Sequence, residues 1–104
     1  MNQILSDPEC ISQEKVEALI ADGIEVVFID VRSESEYNSQ HIDSAIHIPV
    51  EVLTEDKVSY DYDSVIITTC GKGGGRSTDA AIKLQEFGYP EARWLCGGTI
   101  GWYS

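Results

Sequence analysis

Within Thr69-Cys70-Gly71-Lys72-Gly73-Gly74-Gly75-Arg76-Ser77, one thiol shares a short segment with two cations and four glycines. The thiolate is the nucleophilic form of cysteine. A free thiol ionises near about pH 8.5, and cations or helix N-termini bring that to roughly 3.5–7.5. Lowering it by about two units requires about 2.7 kcal/mol. An exposed helix end supplies only about 0.3–1 kcal/mol. The rest must come from amides, from Arg76 and from the Ser77 hydroxyl. Glycine lets successive backbone N–H groups turn inward, which makes an anion nest. The segment therefore points to an ionised Cys70 beside a pocket for an anion, with Lys72 and Arg76 adding charge. The plainer readings are a small buried cysteine in an ordinary turn, and an Arg76–Asp79 surface pair. A nucleotide P-loop does not fit. That motif needs Gly-Lys-Ser/Thr at the helix start, and here the order is Gly-Arg-Ser.

Local elements must hold this loop. Residues 25–31 and 64–70 are short apolar runs rich in β-branched side chains, a buried-strand pattern. Residues 12–23 predict a helix with Val16, Leu19 and Ile20 on one face, Ser12 as its cap and Gly23 as its stop. Residues 77–88 predict another, with Ala80, Ala81, Leu84 and Phe87 facing inward and Gly88 ending it. Residues 33–40 form a short helix, 44–49 a strand, 51–53 a single turn and 55–63 a polar surface connection. Residues 92–96 form another strand, and 97–104 a turn with a short helix. Strands alternating with helices imply an α/β fold with a mostly parallel sheet. Ligands in such sheets gather beyond the carboxyl ends of the strands, where Cys70 lies.

With these residues in view, the chain resembles the single-domain rhodaneses, a family of sulfurtransferases. Asp30-Val31-Arg32, then Glu36-Tyr37, His41-Ile42, Ala45 and Ile48-Pro49 are similar to one family signature. Cys70 to Ser77 is similar to the active loop, and Leu95 with Gly97-Gly98 and Trp102 to a C-terminal signature. The resemblance implies one domain over residues 1–104. It implies a rhodanese-like three-layer α/β fold, with about five mostly parallel strands and helices on both faces. It also implies that Cys70 takes the outer sulfur of a donor such as thiosulfate and holds it as a persulfide, and that a thiol or protein acceptor removes it. This is covalent catalysis without a cofactor. Gly71, Lys72, Gly73, Gly74, Gly75, Arg76 and Ser77 would bind the anionic donor, and Asp30 with Arg32 would brace the loop.

One departure opens an alternative. Five residues separate Cys70 from Arg76, where the commonest family loop has four. Five is the spacing of cysteine phosphatases, including those on the rhodanese fold, and of related arsenate reductases. Against that chemistry, Thr69 replaces the usual histidine and the loop has no carboxylate to protonate a leaving alkoxide. A non-catalytic interaction module is the third reading.

The whole-chain totals narrow the partners. The chain has 104 residues and a net charge of −11, with 42% hydrophobic and 24% charged residues. Such acidity disfavours nucleic acid and anionic membranes. Residues 1–10 lack a basic start and a long apolar run, so no signal peptide is expected. A cytoplasmic location follows by default. The oligomeric state is left open. Cys10, Cys70 and Cys96 are an odd count without metal-like spacing, so a disulfide framework is not expected and at least one thiol stays free. Cys96 reads as a small buried residue, with a resolving thiol or a disulfide as the alternative, and Cys10 as structural. His41 and His47, with no ligand cysteine nearby, argue for no metal centre. Trp94, Trp102 and Tyr103 read as core or rim aromatics.

Overall fold

The structure, a computed structural model, describes residues 8–103. The signal-peptide reading of residues 1–10 therefore falls mostly outside the described residues, as does Ser104. In chain order the elements are β1 (Cys10–Ile11), α1 (Gln13–Ala21), β2 (Val26–Asp30), α2 (Glu34–Ser39), β3 (Ile46–His47), β4 (Val65–Thr69), α3 (Gly75–Glu86), β5 (Arg93–Leu95) and α4 (Gly98–Trp102). Short 3₁₀ turns at Val50–Val52 and Glu55–Lys57 lie between β3 and β4.

All five strands run parallel, in the order β1-β5-β4-β2-β3. The β-branched runs of β2 and β4 pair in register from Val26↔Val65 to Asp30↔Thr69. Alternation then sends side chains to two cores. Ile29, Val31, Ile66, Ala80 and Leu84 fill one, beneath α3. Val16, Phe28, Ile67 and Leu95 fill the other, with Tyr37 and Trp102 packed against it. Each fully buried Ile or Leu contributes about 1.5–3 kcal/mol. Helices therefore cover both faces, the three-layer arrangement expected.

Helix caps follow the sequence. Ser12 Oγ accepts from the Lys15 N–H at 3.1 Å. Of the apolar stripe on α1, only Val16 is buried within the helix, and Ile20 is 48% exposed. This nine-residue helix is anchored in the core through one turn. In α3, Ala80, Ala81 and Leu84 are fully buried as expected. Strand β3 is shorter than the expected 44–49 run.

The cysteine reading needs correction. Cys10 and Cys96 form a disulfide, with Cα atoms 5.0 Å apart. The cause is register. Strand β1, which sequence did not suggest, pairs with β5 through Cys10↔Trp94 and Ile11↔Leu95. That brings the residue after Leu95 beside Cys10, although 86 positions separate them. Cys70 is the free cysteine, as the odd count requires. Among the described residues no helix is long and apolar enough to cross a membrane, and no cluster of three or more His, Cys, Asp or Glu could hold a metal ion.

Candidate active site

The strand order switches direction between the parallel neighbours β2 and β4: the connection from β2 leads outward to β3, and that from β4 leads the other way to β5. A crevice opens at the carboxyl ends of strands at such a point. Asp30 ends β2 and Cys70 follows β4, and the Val31 N–H donates to Thr69 O at 3.0 Å across this junction. The position of Cys70 thus follows from topology as well as from its loop.

Cys70 is 5% exposed and lines a cleft of about 480 Å³. Gly71, Lys72, Gly73, Gly74, Gly75 and Arg76 form most of the remaining wall, with Glu36 and Ile100 completing it. The sulfur has two polar neighbours. As a thiol it donates to Gly74 O at 3.3 Å, and Ser77 Oγ lies 3.2 Å away. The Ser77 hydroxyl, itself fully buried, donates to Gly74 O at 2.9 Å. Once the thiol has lost its proton, the same hydroxyl can turn and donate to the sulfur.

The loop is held from behind by the start of α4. The Thr99 N–H donates to Cys70 O at 2.8 Å and the Ile100 N–H to Gly71 O at 3.0 Å. The approach is so close that a Cβ on Gly98 would lie 2.5 Å from Cys70 O. Gly73 meets Gly97 similarly, with a Cβ there 3.0 Å from the Gly97 nitrogen. The Gly97-Gly98 pair therefore serves the loop, and the Cys10–Cys96 bond anchors the residue just before it.

Arg76 does not pair with Asp79. Its two terminal nitrogens donate to both carboxylate oxygens of Glu36, at 2.9 and 3.1 Å. Glu36 also closes a capping box at the start of α2: its carboxylate accepts from the Ser33 N–H and hydroxyl, and the Ser33 Oγ accepts from the Glu36 N–H. The Arg76 hydrogen bonds, followed by those from Ser33, hold the Glu36 carboxyl down at about 2. Reciprocally, the bond to Glu36 raises Arg76. Lys72 remains as an exposed cation on the loop.

Asp30 and Arg32 form a second bidentate pair, with Nε to Oδ1 at 2.9 Å and an Nη to Oδ2 at 2.8 Å, nearly removed from solvent. Arg32 also donates to Gln40 O at the end of α2. The pair thus ties the exit of β2 to α2, and α2 carries Glu36 to Arg76. The hydrogen bond to Asp30 raises Arg32. His41 and His47 stack on the two sides of Tyr37, at 3.8 and 4.6 Å between ring centres. Their ring nitrogens meet Tyr37 O and Arg32 O.

Sequence reasoning placed Cys70 to Ser77 together but gave no site role to Glu36, Thr99 or Ile100. Only Glu36 left a local signal, the Ser33-x-x-Glu36 capping pattern.

A buried free cysteine after the central strand of a parallel sheet, in a glycine loop that opens a helix, defines an α/β domain with a candidate cysteine site. The match to known proteins is more specific. A model of the rhodanese-like domain fits residues 12–104, and the chain belongs to that family. The thiosulfate sulfurtransferase GlpE of Coxiella burnetii is 31% identical over 78 residues, which span 75% of this chain and 72% of that protein. The tRNA uridine(34) hydroxylase of Erwinia tasmaniensis is 32% identical over 92 residues; they span 83% of this chain but about a quarter (26%) of that enzyme. Among solved structures, the BH2092 protein of Bacillus halodurans superimposes with a TM-score of 0.79 at 31% identity, covering 91% of this chain and 71% of that one.

Proposed function

We propose that this protein is a sulfurtransferase whose Cys70 carries sulfane sulfur as a persulfide, from a small anionic donor such as thiosulfate to a thiol or protein acceptor. The observation that carries the reading is the placement of the free Cys70 thiol in the cleft at the sheet's switch point, within 3.2 Å of the Ser77 hydroxyl. The Cys70 thiolate attacks the outer sulfur of the donor. A bond forms between the two sulfurs, the donor's own S–S bond breaks, and sulfite departs with the electron pair. An acceptor thiolate then attacks the outer sulfur of the persulfide, and the Cys70 thiolate is restored. Neither half-reaction needs a general acid, because both leaving groups are stable anions.

That requirement favours sulfur transfer over the oxyanion chemistry suggested by the five-residue spacing. The carboxylate facing the cleft is Glu36, which is ionised at neutral pH because its carboxyl is held at about 2. It cannot protonate a departing alkoxide. The test is intact-mass spectrometry after incubation with thiosulfate. One added sulfur atom is expected, reversed by cyanide and absent in Cys70→Ala. An adduct that persists in Cys70→Ala refutes the assignment of the nucleophile, and vanadate-sensitive aryl-phosphate hydrolysis in its place would move the protein to the phosphatase class.

A further inference from the structure

A cavity of about 600 Å³ lies by β1, at the edge of the sheet, and shares no lining residue with the cleft over Cys70. Cys10 and Cys96 both line it, and both are partly exposed. Their disulfide is therefore open to reagents in solution while the domain stays folded. Exposed disulfides exchange with thiols, whereas sealed ones resist. Lys15, Arg93, Glu9 and Glu91 also stand on the wall, among aliphatic side chains and the Ser12 hydroxyl. Two cations face two anions, so an entering thiolate meets no local excess of negative charge, although the chain as a whole carries −11. The volume is that of a small-molecule site.

The bond also holds something that bears on Cys70. Cys96 leads directly into Gly97 and Gly98, both in the left-handed region at φ +80° and +62°. Gly97 packs on Gly73, and Gly98 on the carbonyls of Cys70 and Gly71. Apart from the disulfide, little fixes the entry to this turn. Strand β1 pairs with β5 at two positions only. The Cys96 N–H donates to Ile11 O at 2.9 Å, Trp94 Nε1 to Pro8 O at 2.8 Å, and Gln13 Nε2 to Trp102 O at 3.3 Å. A short edge held by so few bonds opens locally at small cost. Two glycines in succession then let the turn drift from the loop.

We propose that the Cys10–Cys96 disulfide is a thiol-exchange site, reduced in the folded protein by small thiols that enter this cavity, and that its opening releases the Gly97-Gly98 turn and slows sulfur loading at Cys70. The second half rests on Cys70 being the sulfur carrier. In the exchange, a thiolate R–S⁻ attacks one sulfur of the pair. A new S–S bond forms to that sulfur as the Cys10–Cys96 bond breaks, and the other cysteine leaves as a thiolate and takes a proton. A second R–S⁻ attacks the R-bearing sulfur of the mixed disulfide, giving R–S–S–R and the second cysteine thiol. Two R–SH are oxidised to one R–S–S–R as the protein pair takes up two electrons and two protons.

The test has two arms. The first follows reduction of the folded protein by 2-mercaptoethanol, with the opened pair counted by mass after alkylation. Urea below the unfolding transition is expected to leave the rate within about twofold. A rate that climbs with urea in step with the unfolding constant means that the bond opens only on global unfolding, and overturns the exchange site. Lys15→Trp fills the cavity from an exposed helix position, and should slow reduction about fivefold. Lys15→Ala removes the same charge without filling it, and should stay within about twofold of wild type. Equal rates in the two variants overturn entry through this cavity. The second arm measures single-turnover loading of Cys70 from thiosulfate in oxidised protein, in reduced protein freed of thiol, and after reoxidation, with folding checked by circular dichroism. Loading is expected to be about fivefold slower in the reduced form and restored on reoxidation, because a loosened loop is less well preorganised. A variant carrying Cys10→Ser and Cys96→Ser should load at the slow rate whatever its thiol treatment. Equal loading of oxidised and reduced protein overturns the control of the loop. If no form is loaded, the sulfur-carrier reading fails and this control fails with it, while the reduction kinetics, which need no sulfur transfer, still decide the exchange site.

Discussion

Replacing Gly98 with alanine tests the contact on which the Cys70 loop depends. Gly98 has φ +62°, and a Cβ there would lie 2.5 Å from Cys70 O, 2.6 Å from Gly71 O and 2.7 Å from the Gly73 nitrogen. The left-handed backbone alone costs a non-glycine residue about 1–2 kcal/mol. The three obstructing atoms belong to the backbone and cannot rotate aside, so α4 must retreat. Retreat weakens the hydrogen bonds from Thr99 to Cys70 O and from Ile100 to Gly71 O, 2.8 and 3.0 Å long. Each is worth about 1 kcal/mol. The expected loss is therefore roughly 3–4 kcal/mol, a large share of the roughly 5–15 kcal/mol typical of a folded domain. Gly71→Ala is the control, because a Cβ there meets nothing within 4 Å and its φ is not positive. It should stay within about 0.5 kcal/mol of wild type. Urea unfolding of the three proteins supplies the free energies. Sulfur loading of folded Gly98→Ala at low urea shows whether the displaced loop still works, with a slower rate expected. Equal unfolding midpoints for the two alanine variants would refute the claim that α4 presses on the loop.

Two further outcomes follow from groups outside the loop. Asp30→Asn leaves the Arg32 guanidinium buried without its counter-charge, and the expected loss is about 3–5 kcal/mol in urea unfolding; a Met at position 32 in the same background should recover part of it, whereas additive losses would show that the pair does not act as a unit. Reducing the Cys10–Cys96 bond, which joins residues 86 positions apart, should cost about 2–4 kcal/mol, and dithiothreitol should then leave the stability of Cys10→Ser unchanged.

How much of this was legible in the sequence depends on the chain distance of each contact. The Cys70 loop was readable because its parts are neighbours: a β-branched strand, four glycines and a helix start occupy consecutive positions. The Ser12 cap and the buried face of α3 were readable for the same reason, since helical period and capping act within a few residues. The start of α3 was not. It begins at Gly75, ahead of the expected Ser77, because the last loop glycine already takes a helical hydrogen-bonding position. Strand β1 is two residues long and exists only by pairing with β5, so no local pattern announces it. The disulfide was missed for that reason.

By itself, then, the amino-acid order determined the class of fold and the glycine bend that follows Cys70, because short-range sterics and periodicity dictate these. The tertiary structure alone decided what surrounds the sulfur. Glu36 reaches Arg76 across 40 residues, Gly98 presses on Cys70 O from the far end of the chain, and Cys10 finds Cys96. Each of these contacts arises from how parallel strands lie side by side and where their connections return. Which strands become neighbours is a property of the assembled sheet, and the local pattern of a strand does not name its partner.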